Sequence, residues 1–452
     1  MPEVTVGIDI GTTSVKAVAA DGDGNVLARA RVPHDLHVPA PDRLEHDANL
    51  AWRRGVRRAW KKVSRDLDVK GVNIAAFVPS LCAVDRRGVP ITPGLLYGDG
   101  RGHADRTFEG PGNAGETLGF LRWCATEAPD AAGFWPAQAV GNRALGAEGV
   151  LDSVSAMGAF PLFNGAGWDE EMCASAGVDP ARMPRVIPGN VAVGRVGDAV
   201  LGPGVIDAFG EQMVAGADSD GDVLVIFGAT LITWAVTPTW REAPGLWTVP
   251  HTAPGKTLIG GPSNAGGLFL DWALRLSGRG ADDAVHPERV PVILPYVRGE
   301  RTPLHDPHRR ASVHDLDLTH GRSALRRAAH EAGGFVVRHH LELAFQGVGE
   351  DAGDDPRPRR IVATGGGTRS AAWMQALADC TGLPVDVVAV PEGGALGSAF
   401  LARVAAGLEA DASGSARWAR TSHRVEPDPA WVDACSARYE RFRDLTGPVG
   451  PG

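Results

Sequence analysis

The chain has 452 residues, enough for about two to four domains that each bury a core. Its composition, 44% hydrophobic and 22% charged, is typical of a globular protein. With a net charge of −9 and the basic residues taken as dispersed, we expect neither nucleic acid nor an anionic membrane as the main partner. The five cysteines are isolated and form no CxxC pair, which argues against zinc and disulfide frameworks.

No stretch approaches the roughly 18 apolar residues of a membrane span. The first residues, MPEVTVGIDI, lead directly into a strand and lack a basic-then-apolar signal pattern. We therefore predict a cytoplasmic protein. The sequence allows a homodimer.

The first predicted element is a hairpin in which two strands, 4–10 and 14–20, flank the turn Gly11-Thr12-Thr13. This turn offers backbone N–H groups and two hydroxyls, which suit phosphate oxygens. Asp9, beside it, would repel phosphate unless a divalent cation sits between them. The residues alone leave two equal interpretations: a Mg-nucleotide hairpin, or an ordinary hairpin whose Asp9 caps its own turn.

The next predicted elements are a strand at 26–32, a helix at 48–63, a strand at 72–78 and a helix at 117–127. Residues 133–196 show little periodicity, and we predict short helices and loops of a substrate-side insertion there.

A second hairpin, at 222–236, resembles the first, with the turn Gly228-Ala229-Thr230 between two apolar strands. Superposing Gly228 on Gly11 places Thr230 opposite Thr13, whereas Ile226 stands opposite Asp9. The pattern predicts a repeated βββαβ half and two hairpins facing each other across a cleft, as in actin-like ATPases. The alternative is a chance likeness between two apolar hairpins.

Towards the C-terminus we predict helices at 264–276 and 323–346, a strand at 360–364, a glycine turn at 365–367 and a helix at 370–381. Such a turn lets a ligand approach the backbone near a helix N-terminus, although glycines also serve plain tight packing. The helix at 394–407 is rich in small residues and can pack very close to a neighbouring element or to the flat ring of a ligand. The P-loop-like PHTAPGKT at 250–257 lacks the first glycine and leads into a strand, so we do not assign it a phosphate site.

Together these motifs resemble the FGGY family of carbohydrate kinases, most of all its xylulokinase-like members. The matching segments run in family order: GIDIGTTSVKA (7–17), LLYGDGR (95–101), FGAT (227–230), LPYVRGERTPLHDPHRR (294–310), ATGGGTRSAAWMQALADCTGLPV (363–385) and EGGALGSAFLA (392–402).

The resemblance implies an α/β fold of two actin-like (ribonuclease H-like) ATPase domains around a central cleft, here 1–221 and 222–452. It implies that Mg-ATP is held between the two phosphate hairpins and that its γ-phosphoryl group moves to a sugar or polyol hydroxyl. Such a transfer depends on positioning, charge neutralisation and an acid that accepts the hydroxyl proton.

The resemblance assigns the general base to Asp207, which stands 21 positions before Gly228 and is the only acid at that spacing. A carboxylate after the apolar Val205 and Ile206 is partly desolvated, which favours proton acceptance near neutral pH. The structural alternative is a helix N-cap. The other implied contacts are Asp9 for the metal and, for the nucleotide, Gly11, Thr12, Thr13, Gly228, Thr230, Gly365, Gly366, Gly367 and Arg369.

The acceptor side departs from the family pattern. Phe77, Val78 and Pro79 stand where the family carries polar sugar-binding side chains, and Ala208 stands where an amide is expected beside the base. Asp99 and Arg101 are retained and could hold a hydroxylated ligand. We therefore predict an ATP-dependent carbohydrate kinase with an unusual acceptor, a modified sugar or a cyclitol. The alternative is a catalytically weak homologue that acts as a nucleotide- or sugar-binding sensor or partner protein.

Overall fold

The computed structural model describes residues 2–105, 114–253, 255–278, 284–346 and 357–449. Contacts within the chain group into two compact units. Unit 1 comprises Met1–Val214 and Glu392–Trp418, and unit 2 comprises Ala215–Pro391 and Ala419–Gly452. The C-terminal segment Glu392–Trp418 thus belongs with the N-terminal half, whereas the sequence placed it in a domain spanning 222–452. None of the helices in the described ranges is both long and apolar enough to cross a membrane.

The elements of unit 1 include thirteen strands and seven α-helices within the described ranges. The strands are β1 (Glu3–Ile10), β2 (Ser14–Ala20), β3 (Val26–Pro33), β4 (Glu45–His46), β5 (Asp68–Ala76), β6 (Ser80–Val84), β7 (Gly94–Leu96), β8 (Gly133–Trp135), β9 (Val150–Asp152), β10 (Arg185–Ile187), β11 (Gly194–Val196), β12 (Ala199–Leu201) and β13 (Val205–Ile206). The helices are α1 (Val56–Val63), α2 (Glu116–Glu127), α3 (Ala137–Ala144), α4 (Ser153–Met157), α5 (Glu170–Ser175), α6 (Asp207–Ala215) and, from the C-terminal segment, α10 (Gly393–Ala405).

The main sheet of unit 1 has the strand order β11-β12-β5-β1-β2-β3, with β13 pairing the end of β5. The first three strands are antiparallel, as predicted, and β1 pairs β5 in parallel. Every residue of β1 after Glu3 is buried, because helices cover both faces of the sheet. The predicted helix at 48–63 begins with a π-helical stretch, Asn49–Gly55, and continues as α1.

Unit 2 contains nine strands and four α-helices in the part of the chain that is described. The strands are β14 (Asp222–Phe227), β15 (Leu231–Thr237), β16 (Trp247–Pro250), β17 (Thr257–Ser263), β18 (Val292–Leu294), β19 (Ser312–His314), β20 (Arg360–Thr364), β21 (Val385–Val388) and β22 (Thr421–Val425). The helices are α7 (Gly267–Leu276), α8 (Arg322–Ala344), α9 (Ala371–Thr381) and α11 (Pro429–Thr446).

The sheet of unit 2 repeats the pairing pattern of unit 1. Its order is β16-β17-β15-β14-β20-β21-β22, with β14 antiparallel to β15 and parallel to β20. In unit 1, β1 is likewise antiparallel to β2 and parallel to β5. The likeness between the two hairpins therefore extends to the sheets around them, as the predicted internal repeat requires.

The small-residue helix α10 packs directly on the unit 1 sheet. A Cβ atom at Gly7 of β1 would lie 1.8 Å from the carbonyl oxygen of Ala395, and one at Gly397 would lie 1.9 Å from that of Gly210 in α6. These distances are far below van der Waals contact, so glycine is required at both positions. Of the two predicted uses of this helix, the structure shows close packing on a neighbour, and α10 contacts both β1 and α6.

Candidate active site

Three parallel strand ends of unit 1 bring the predicted site segments together. Ile10 and Ile206 both pair with Ala76, so β1 and β13 end on either side of β5. The residues that follow these strands are Gly11-Thr12-Thr13, Asp207 and Phe77-Val78-Pro79. Ligands of open α/β sheets bind at the carboxyl ends of the strands. The predicted phosphate turn, base and acceptor segment therefore share one edge of one sheet.

Asp9 is paired with a lysine across the first hairpin. Asp9 and Lys16 are cross-strand neighbours, and Lys16 Nζ lies 3.0 Å from Asp9 Oδ2. Attraction to Asp9 is the main cause that holds the pKa of Lys16 above its usual range, with contributions from Glu211 and Asp207. Lys16 belongs to the GIDIGTTSVKA motif, but the sequence analysis assigned it no role. Its cross-strand register with Asp9 was the available signal.

Asp207 is the first residue of α6, and its carboxylate oxygen Oδ1 accepts a hydrogen bond of 2.7 Å from the N–H of Ala208. Burial, and then repulsion from Asp9, raise the pKa of Asp207 to about 7, against the opposing effects of the Ala208 N–H and Lys16. A carboxylate with this pKa can accept a proton near neutral pH. The helix-terminal role and the chemical role are therefore compatible.

The N-terminus of α10 lies beside both acids. A Cβ atom at Gly394 would be 3.4 Å from Asp9 Cγ and 3.4 Å from the carbonyl oxygen of Asp207. The N-terminus of a helix of this length carries partial positive charge, which stabilises nearby carboxylates. Sequence reasoning did not bring this helix to Asp9, because the contact joins residues almost 400 positions apart.

The first phosphate turn is held from several sides. Its Gly11 N–H donates to the carbonyl oxygen of Ser14, and the Thr12 hydroxyl lies 2.8 Å from the hydroxyl of Tyr97. A ring nitrogen of His46 lies 2.8 Å from the Thr12 carbonyl oxygen. Thr13 is exposed. The turn thus keeps a fixed shape and presents the Thr13 side chain to solvent.

The residues predicted to contact the acceptor are engaged within the protein. Phe77 is buried and packs edge-on against Tyr97 and His46. Asp99 is fully buried and accepts two hydrogen bonds from the Arg101 guanidinium, at 2.8 and 2.7 Å. Arg101 also donates to Glu45. Much of the polar capacity expected to bind hydroxyl groups is therefore used internally.

A small cavity of about 20 Å³, enough for about one water molecule, lies against Phe77, Val78 and Pro79. Most of the side chains that line it are apolar, including that of Trp168. The side chain of Gln138 also lines the cavity, and its amide nitrogen donates a hydrogen bond to Asp152. Its buried Oε1 atom has no hydrogen-bond partner in the described part of the chain. Gln138 is a polar group near the acceptor segment that sequence reasoning missed, since no motif marks it.

The two turns predicted to contact the nucleotide in unit 2 lie at one sheet edge. Because Ile226 pairs with Thr364, the Gly228–Thr230 and Gly365–Gly367 turns follow adjacent parallel strands. The Gly228 carbonyl oxygen accepts from the N–H of Gly267 at the start of α7. Backbone N–H groups and a helix N-terminus at this edge provide a setting suited to phosphate.

The three glycines of the second turn have different surroundings. Gly365 has φ +91°, and a Cβ there would lie 2.7 Å from the Phe227 carbonyl oxygen. A Cβ at Gly367 would lie 2.7 Å from both Phe227 and Trp373, whereas at Gly366 the nearest atom is a guanidinium nitrogen of Arg369 at 3.7 Å. Packing accounts for Gly365 and Gly367. Only Gly366 leaves room for a ligand close to its α-carbon.

The donor set of unit 1 fits a magnesium ion that takes most of its ligands from phosphate and water. Asp9 is buried, and its Oδ1 has no hydrogen-bond partner within the described ranges. No cluster of three or more acidic, histidine or cysteine side chains suitable for a metal is found among the described residues. Mg²⁺ commonly uses one or two carboxylates together with substrate phosphates, so a single acid at this place is sufficient.

Comparison with known proteins identifies the family. The N-terminal and C-terminal domain models of the FGGY family of carbohydrate kinases match residues 4–106 and 224–406. Xylulose kinase from Streptomyces rubiginosus is 30% identical over 451 residues, covering 92% of this chain and 90% of that protein. Gluconokinase from Bacillus subtilis is 26% identical over 462 residues, covering 90% and 88%.

Solved structures show the same architecture. Xylulose kinase from Rhodospirillum rubrum superposes with a TM-score of 0.73 at 26% identity, covering 98% of both chains. The predicted α/β fold with two actin-like domains is confirmed. The chain belongs to the FGGY family of carbohydrate kinases and is xylulokinase-like.

Proposed function

We propose that the protein transfers the γ-phosphoryl group of ATP to a hydroxyl of a sugar or sugar-like polyol, with Asp207 as the general base. The observation that carries the proposal is the position and pKa of Asp207. It follows a strand adjacent to the acceptor segment, and its pKa of about 7 suits a group that takes up a proton near neutral pH.

In the proposed reaction Asp207 accepts the proton of the acceptor hydroxyl while that oxygen forms a bond to the γ-phosphorus and the bond to ADP breaks. Asp9 would hold Mg²⁺, which when bound neutralises charge on the phosphates. Lys16 pairs with one oxygen of Asp9 and leaves the other buried, with no hydrogen-bond partner in the described part of the chain. Thr12, Thr13 and the turns of unit 2 are proposed to bind the nucleotide.

The acceptor is proposed to be a modified sugar or a cyclitol rather than xylulose. Phe77, Val78 and Pro79 supply apolar surface, and Asp99 with Arg101 is bonded internally. A site built to bond several hydroxyl groups discriminates strongly, so the loss of such groups changes which acceptor is favoured. Gln138 Oε1 is the polar atom of this region that we propose as an acceptor contact.

The same observations support the second candidate, a catalytically weak homologue that binds nucleotide or sugar. ATP consumption by the purified protein should be measured against a panel of ketoses, aldonates, deoxysugars and cyclitols. The kinase proposal expects turnover with at least one acceptor, highest with a modified sugar or a cyclitol. Measurable ligand binding without ATP consumption for any acceptor would contradict it and favour the sensor or partner role.

A further inference from the structure

The basic residues of this chain are not dispersed throughout, contrary to the expectation from the sequence totals. Between positions 53 and 65 seven of thirteen residues are Lys or Arg and none is acidic. The nearest acids along the chain are Asp47 and Asp66. Most of this run lies in the helix that begins at Asn49 and continues through α1, and Ser64 and Arg65 follow the end of that helix.

The helix buries one face and exposes the other. Trp52, Val56, Ala59 and Val63 are almost completely buried in the unit 1 core. Six basic side chains of the run are exposed, and no ion pair of theirs is found among the described residues: Arg54, Arg57, Arg58, Lys61, Lys62 and Arg65.

Like charges four residues apart on a helix destabilise it by about 0.2–0.5 kcal/mol per pair. The helix contains four such pairs: 53 with 57, 54 with 58, 57 with 61 and 58 with 62. A bound anion would relieve this repulsion. The helix is therefore under an electrostatic strain that ligand binding can remove.

A groove runs beside the exposed face of α1. We call it the basic groove, and it is lined by Arg57, Arg58, Trp60, Lys61, Ser64, Ala144, Leu145 and Val196, with a volume of about 540 Å³. Small-molecule sites in proteins are typically about 300–1,000 Å³. The guanidinium groups match phosphate in a two-point geometry, and the ammonium group adds a third donor to the same space.

The negative charge of the rest of the chain favours a small anion over a large polyanion as the ligand of the basic groove. Removing the +7 of this run from the net charge of −9 leaves −16 on the remaining residues. A large polyanion would face that charge, whereas a ligand within the groove feels mainly the run, because the screening length is about 8 Å at physiological salt. The apolar face of the helix is buried, so it cannot insert into a bilayer.

We propose that the basic groove binds a small molecule carrying two or more phosphate groups. This site lies on α1, apart from the strand ends that carry Asp9 and Asp207, and does not depend on the proposed kinase activity. Both an inorganic polyphosphate and a phosphorylated metabolite present the required phosphate oxygens, and the two sources can be distinguished by experiment.

The test is calorimetric titration of the full chain at 0.15 M salt with inorganic tripolyphosphate and with a hexose bisphosphate. The groove variant is Arg57→Gln with Lys61→Gln. Its matched control is Lys62→Gln with Arg65→Gln, which removes the same charge from the same basic run but outside the groove lining. All four side chains are exposed, so both variants are expected to fold.

We expect at least one of these ligands to bind at least tenfold more weakly to the groove variant and within threefold of wild type to the control. The ligand that binds most tightly identifies the source of the phosphate groups. Equal weakening in both variants would show a general field effect and overturn the proposal, as would unchanged binding in both. Binding of duplex DNA or anionic vesicles that depends on Arg57 and Lys61, with no small phosphate ligand bound, would also overturn it.

Discussion

The ammonium group of Lys16 lies 3.0 Å from Asp9 Oδ2 and is attracted by Asp207 as well. One lysine therefore balances the acid proposed to hold magnesium and the acid proposed to accept the proton. Asp9 raises the pKa of Asp207 and Lys16 lowers it, so the lysine limits how basic Asp207 becomes. The availability of the base near neutral pH depends on this pair.

Replacing Lys16 by Met should move the pH dependence of turnover. In wild type, kcat/KM should fall below a pH of about 7 as Asp207 becomes protonated. Without Lys16 the pKa of Asp207 rises, so this acidic limb should shift to higher pH. Removing one member of a largely buried pair should also destabilise the fold by about 3 kcal/mol. The measurement is a pH–rate profile with the acceptor identified in the panel.

Lys16→Arg is the matched control, since it keeps the positive charge beside Asp9. Its acidic limb should stay close to that of wild type. An unchanged limb in Lys16→Met, at a protein concentration and temperature where the variant is folded, would show that Lys16 does not set the pKa of the base.

Asp207 should also affect stability. Its folded pKa of about 7 exceeds the ordinary value of 3.8, so the native state retains a proton that the unfolded chain releases. The free energy of unfolding therefore falls as pH rises through that window and stays low above it. Asp207→Asn removes this effect and should be more stable than wild type at pH 8, by at most about 4 kcal/mol, with little difference at pH 4.

Denaturant unfolding at pH 4, 6 and 8 would measure this difference. The exposed Asp130 supplies a control, and Asp130→Asn should show no such dependence. A stability gain of Asp207→Asn that is the same at all three pH values would exclude the raised pKa as its cause.

The bond between Tyr97 and Thr12 should position the phosphate turn. Tyr97→Phe removes a hydrogen bond of 2.8 Å, worth about 0.5–1.5 kcal/mol. If that energy holds the turn in its binding shape, KM for ATP should rise about twofold to tenfold, since 1.4 kcal/mol corresponds to tenfold. Tyr439→Phe removes a hydroxyl bonded to Glu342 in unit 2 and should leave this KM unchanged.

Gly397 should be intolerant of any side chain. Its Cβ would collide with the carbonyl oxygen of Gly210 in α6, the helix that begins with Asp207. Gly397→Ala should therefore destabilise the protein by about 1–3 kcal/mol and lower turnover by displacing the base. Gly189→Ala has no atom within 4 Å of the added Cβ and should behave as wild type. Equal melting temperatures for the two variants would contradict the close packing of α10.

Local patterns predicted the hairpins well. The apolar alternation of β1 and the turn Gly11-Thr12-Thr13 determine a hairpin within a few residues, and the same holds for Gly228–Thr230. Helices α2, α8 and α9 were also predicted within about three residues of their observed ends, because their periodicity is local. The family resemblance then supplied the fold class, which the comparisons confirm.

Contacts between distant parts of the chain could not be predicted in the same way. Nothing near Gly394 indicates that it lies against Asp9, and only the packing of α10 on β1 places it there. The pairing of Asp99 with Arg101 is a local contact, but the motif alone is equally consistent with side chains that face a ligand or face each other. The basic run at 53–65 is visible in the sequence, but the net charge of −9 gives no indication of it, because acidic residues elsewhere outweigh it.

The most direct test of the proposed mechanism is Asp207→Asn with the acceptor found in the panel. Asparagine keeps the size of the side chain but cannot accept the hydroxyl proton as a base. General-base catalysis contributes about 10²–10⁴-fold, so kcat should fall by that factor while ATP binding, measured by calorimetry, stays within threefold of wild type. Turnover near that of wild type in Asp207→Asn would contradict the assignment of Asp207 as the general base.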